Sequence, residues 1–117
     1  MQPQINTDSG YIVVFITTAS QEEAETIAST LVKEKLAACV NIISPIRSIY
    51  TWQGKVEDAT ECLLIAKTTT PLFQPLKKRA KELHSYEVPE IISVPLLAGE
   101  ENYLHWIEEV TLPALIS

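Results

Sequence analysis

The chain has 117 residues, 46% hydrophobic and 21% charged, with a formal net charge of -6. This describes one domain with a real core and no room for a second, and the acidic balance excludes nucleic acid as a partner, since phosphate binding needs a positive face. The first basic residue is Lys33 and the strand-like apolar run Tyr11 to Ile16 is far too short to cross a bilayer, so no signal peptide and no membrane segment are expected, and a cytoplasmic location is.

Met1 to Ser9 is polar and reads as a disordered tail, with a single domain over residues 10–117. Tyr11 to Thr17 is a continuous apolar run, as in a central strand covered on both faces. Ser20 and Glu23 have capping-box spacing. The stripe Ala24, Ile27, Ala28, Leu31 and Val32 then predicts a helix ending near Lys35.

Ala38 to Trp52 reads as extended, turns at Gln53-Gly54, and reads as extended again from Lys55 to about Thr68. Ile46, Ser48, Tyr50 and Trp52 share one face. On the return arm Glu57, Ala59, Glu61, Leu63 and Ile65 do the same. Each arm of roughly 14 residues spans roughly 45 Å at ~3.3 Å per residue. A compact chain of this length has a radius of gyration near ~13 Å and a diameter of roughly 35 Å. A long, bulged hairpin therefore overhangs its own domain, and Ile49, Tyr50 and Trp52 near its tip need a cover. The simplest cover is a second copy of the chain. The alternative is that Pro45 breaks the first arm into two short strands. In the register set by Gln53-Gly54, Cys39 lies near Thr68 and Cys62 near Pro45, so two free thiols are expected.

Thr70-Pro71 predicts the start of a second helix, a cap followed by proline at the first helical position, with Leu72, Leu76, Ala80 and Leu83 on its apolar face and an end near His84. Pro75 distorts or delays its first turn. Glu87 to Leu97 reads as an edge or bulged strand because of Pro89 and Pro95. After Gly99 a third helix follows, with Glu100 and Glu101 in its first turn. Tyr103, Leu104, Trp106, Ile107 and Val110 form its buried side, and Pro113 stops it. The order βαββαβ plus a C-terminal helix is the α+β pattern of the ferredoxin-like sandwich. Two helices cover one sheet face and leave the other bare, which argues again for self-association.

Several blocks carry a resemblance: K-L-A-A-C-V-N-I at Lys35 to Ile42, S-I-Y-T-W-Q-G-K-V-E at Ser48 to Glu57 with E-C-L-L-I-A-K-T at Glu61 to Thr68, H-S-Y-E-V-P-E-I at His84 to Ile91, and Y-L-H-W-I at Tyr103 to Ile107. In this order and spacing they closely resemble the CutA divalent-cation tolerance proteins, from about Tyr11 to Pro113. The resemblance implies a homotrimer in which long hairpins pair between subunits. It also implies a cytoplasmic role in tolerance of copper and other divalent metals. Fold and trimer are similar to those of the PII signalling proteins, which bind small ligands between subunits. Copper binding in the family is attributed to a cysteine at the end of the first strand and two adjacent histidines. Here those positions hold Ile16 and Leu83-His84, and Ser85 replaces the following proline.

A metal reading uses His84, Cys39, Glu87 and Glu90, with imidazole and thiolate suited to copper or zinc. None has a ligand spacing of the C-x-x-C or H-E-x-x-H kind. The plainer reading of His84 is a helix C-terminal residue near the last carbonyls, and that of Cys39 is a small buried side chain. A cleft reading uses Lys67, Glu61, Tyr86, Glu90 and Trp52. Lys67 either pairs with Glu90 or holds a small anionic ligand between subunits. No nucleophile motif is present, and no catalysis is expected. Three functions follow: a trimeric metal-tolerance protein binding copper or similar cations weakly, a PII-like small-molecule sensor, or a stable trimeric scaffold for a protein partner.

Overall fold

The computed structural model describes residues 9–116. The elements are β1 (Tyr11–Thr18), α1 (Gln21–Lys33), β2 (Cys39–Trp52), β3 (Lys55–Thr69), a 3-10 turn (Thr70–Leu72), α2 (Phe73–Leu83), β4 (Ile91–Pro95) and α3 (Glu101–Ile116). The four strands form one antiparallel sheet in the order β2-β3-β1-β4. This is the ferredoxin-like order. The tail expected over Met1 to Ser9 lies outside the described residues except for Ser9, whose hydroxyl donates to Leu96 O at 2.6 Å.

Alternation along the strands sorts the sheet into two unlike faces. Ile12, Val14 and Ile16 of β1 and Leu64 and Ala66 of β3 are buried against Ala24, Ile27 and Leu31 of α1 and Leu76 and Ala80 of α2. On the opposite face Val13, Phe15, Leu63 and Ile65 are only half-buried, and Ile92 and Val94 are exposed. The apolar run of β1 is thus covered on one face within the chain, not on both. Its second face is apolar and is left uncovered by the rest of the chain.

Ser20 caps α1, its Oγ accepting from Glu23 N at 3.1 Å. Val32 is 40% exposed, so it leaves the stripe that Leu31 completes. Lys35 takes a φ of 63° just beyond the helix and the chain turns back into β2.

The hairpin has the expected length, 14 residues in β2 and 15 in β3. Gln53 and Gly54 both have positive φ, 51° and 78°. That conformation matches the twist of the flanking strands, and glycine adopts it at no steric cost. Pro45 does not divide β2. The register shifts by one residue between Ile43 and Ile46, so Ser44 and Pro45 form a bulge and pairing resumes at Ile46 opposite Glu61. Cys39 faces Lys67, Cys62 donates to Ser44 Oγ at 3.1 Å, and both thiols are free. The radius of gyration is 15.5 Å, with extents of 43 × 41 × 23 Å. That exceeds the ~13 Å of a rounded chain.

Three further elements differ from expectation. Thr70 does not cap α2: Thr70-Pro71-Leu72 form a 3-10 turn, and Pro75 sits in the first turn of α2, where its missing amide hydrogen is no loss. The last strand is confined to Ile91–Pro95, an edge as the prolines require. Pro113 does not stop α3, which runs on to Ile116. Only Ile107 and Thr111 of α3 are buried, and Tyr103 and Trp106 are exposed. This helix is apolar around much of its girth, so no single face can be chosen from the sequence.

Candidate functional site

Where α2 ends, the chain crosses behind β1 and is pinned by a buried imidazole. The His84 side chain is fully buried. Its Nδ1 accepts from Tyr86 N at 3.0 Å, so Nε2 carries the proton and donates to Thr17 O at 2.7 Å. Glu23 Oε1 lies 3.9 Å from Nδ1, but the Tyr86 amide already occupies that nitrogen. The contact is not an ion pair in this tautomer. Glu23 instead accepts from Ser85 N at 2.8 Å and from Ala19 N at 3.3 Å. Burial pushes the Glu23 carboxyl up, while the bonds from Ser85 and Ala19 outweigh this and hold it below the usual range.

This anchoring aims Tyr86 across the sheet. Its hydroxyl donates to Glu61 Oε2 at 2.7 Å. Burial, then the bond and charge of Glu61, raise the phenol far above its ordinary value. Glu61 is itself only 5% exposed. Between the hairpin and residues 85–90 lies a cleft of about 700 Å³, lined by Thr17, Ser48, Ile49, Tyr50, Trp52, Glu61, Ser85, Tyr86, Glu87, Val88 and Glu90.

The structure brings Trp52, Glu61, Tyr86, Glu87 and Glu90 together around this cleft. Lys67 lies elsewhere, opposite Cys39 on β2 and Val13 on β1, and its Nζ donates to Asn41 Oδ1. It makes no ion pair with Glu90. Cys39 is half-buried beside Asn41, at the same end of the sheet. His84 is bonded at both nitrogens, and not to the last carbonyls of α2 through its ring. Among the described residues no group of three His, Cys, Asp or Glu side chains is arranged to hold a metal ion.

Sequence reasoning misses Tyr50 and Ser48, although alternation from Trp52 puts both on its face. It also misses Thr17 and the second duty of Glu23. The capping spacing flags Glu23 only as a helix start, and nothing local signals that its other oxygen holds a loop 62 residues away.

Comparison with known proteins gives a consistent result. Residues 12–110 match the model of the family described as CutA1 divalent ion tolerance protein. The chain is 54% identical over 99 residues to the divalent-cation tolerance protein CutA of Thermus thermophilus, covering 85% of this chain and 96% of that one. It is 44% identical over 100 residues to the chloroplastic protein CutA of Arabidopsis thaliana, covering 86% of this chain and 55% of that one. The solved structure of the divalent cation tolerance protein from Thermus thermophilus superposes with a TM-score of 0.85 at 52% identity, covering 86% of this chain and 98% of that one.

Proposed function

The chain belongs to the CutA1 divalent ion tolerance protein family, and we propose that it serves tolerance of divalent metal ions as an assembly of three copies. The family match over residues 12–110 carries this reading. The open apolar sheet face and the overhanging hairpin support the assembly, since exposed apolar area of this extent is normally covered by a partner. Copper or a similar cation is bound weakly at isolated donors, the Cys39 thiol beside Asn41 and, apart from it, carboxylates such as Glu87 at the cleft. His84 acts as a structural residue, having no free nitrogen. The test is native mass spectrometry of the metal-free, reduced protein titrated with Cu(I), Cu(II) and Zn(II). The expected species has three times the 13.0 kDa chain mass and takes up metal that Cys39→Ser reduces and His84→Gln does not. A stable monomer, or no uptake of any of the three ions, sinks the reading.

A second reading rests on the cleft. A concave site with aromatic walls and a few polar groups is the usual form of a small-molecule site. In this reading the protein senses a small ligand at Glu61, Tyr86, Trp52 and Glu90, in the manner of the PII proteins.

A further inference from the structure

We propose that the cleft between the hairpin and residues 85–90 binds a small organic cation, seating an ammonium or guanidinium group at the Glu61 carboxylate and its hydrocarbon against Tyr50, Trp52 and Tyr86. The inference rests on the second reading above and not on the metal role.

Glu61 is the observation that points to it. The residue is 5% exposed and its Oε2 accepts from Tyr86, while Oε1 is not sealed off as a buried unpaired atom and stays open to an incoming donor. The ion pairs of the described residues are Arg47 with Asp58 and Arg79 with Glu34, and neither reaches Glu61. A buried carboxylate is tolerated when a cation and further donors complete it. Lys67, six residues along β3, is turned to Asn41 and cannot serve. No lysine, arginine or histidine lines the cleft, while Glu87 and Glu90 add two more carboxylates at its margin. The field inside is therefore of one sign.

The walls decide the kind of cation. A divalent metal needs several converging oxygen, nitrogen or sulfur ligands, and the described residues offer no such group. Organic cations ask for less: one carboxylate for the charge, and aromatic faces, which attract cations and cover hydrocarbon together. Tyr50, Trp52 and Tyr86 provide those faces. An anionic ligand, the expectation that goes with Lys67 in this site, would meet hydroxyls but no positive side chain, and three carboxylates.

A matched series on one four-carbon skeleton tests this with the full chain in its assembled state: 1,4-diaminobutane, 1,4-butanediol and succinate. Binding is read by calorimetry and by Trp52 fluorescence in a Trp106→Phe background. The diamine is expected to bind once per chain, about tenfold or more tighter than the diol or succinate, and to weaken as salt is added. Glu61→Gln and, independently, Glu90→Gln weaken it about tenfold, while Glu109→Gln on α3 leaves it unchanged. Preference for succinate or the diol, or diamine binding indifferent to both cleft variants, overturns the cation assignment and leaves the cleft as a ligand site. Failure of all three probes to bind removes the inference and the cleft reading together.

Discussion

Tyr86 is the side chain on which the cleft depends, because it joins a pinned loop to a buried carboxylate. Tyr86→Phe keeps the ring and removes the hydroxyl, leaving Glu61 without its donor. The expected loss is about 1–3 kcal/mol of unfolding free energy, read from urea denaturation. Glu23 gives the pH dependence. Its folded pKa is depressed, so its contribution is present above the ordinary carboxylate range and is lost as pH falls through the folded value. Glu23→Gln should therefore flatten the acid limb of stability against pH and change the neutral-to-alkaline side little in slope. Much of the cleft is legible at this scale, since period-two alternation puts Glu61 with its neighbours and Trp52 with Tyr50. Lys67 does not belong with them, because sharing a face is not proximity: six residues of strand separate it from Glu61 by about 20 Å. The role of His84 is not legible at all, because its acceptor, Thr17 O, lies 67 residues back in the chain.

Elements are legible where local chemistry and burial agree. The hairpin turn is the clearest case, with Gly54 at a φ of 78° where a Cβ meets open space but a strained backbone. Gly54→Val should cost about 1–2 kcal/mol through backbone conformation alone, whereas Gln53→Asn should be neutral or stabilising. Both are checked by thermal unfolding at fixed protein concentration. The third helix shows the opposite. Its proline reads as a stop, yet Pro113 lies one turn from the end, where few hydrogen bonds remain to be lost. Pro113→Ala is expected to raise the melting temperature rather than extend the helix. The buried side of α3 escapes a sequence reading because Tyr103, Trp106 and Leu112 surround the helix, and periodicity cannot separate a surface packed within the chain from one left outside it.

Over the whole molecule, the sheet topology follows from element order, and the departure from roundness follows from counting hairpin residues. The partner of the open face is the part no single sequence can specify, because assembly symmetry is not a local property. Phe15→Glu sits on that face, pairs in register with Ile65 and Ile92, and leaves the helix-covered core untouched. It is expected to convert the assembled species to monomer in light scattering and to remove any concentration dependence of the melting temperature. The strand order adds a different consequence. β2 and β4 are the two margins of the sheet, and each contains a proline: Pro45 at the bulge of β2, and Pro95 at the end of β4, with Pro89 just before it. Pro45 splits the row of amide hydrogens along β2, and β4 offers an incoming strand only the short run ahead of Pro95. Folded molecules are thus poor seeds for cross-β growth, and prolonged warm incubation below the melting transition should leave thioflavin fluorescence at baseline.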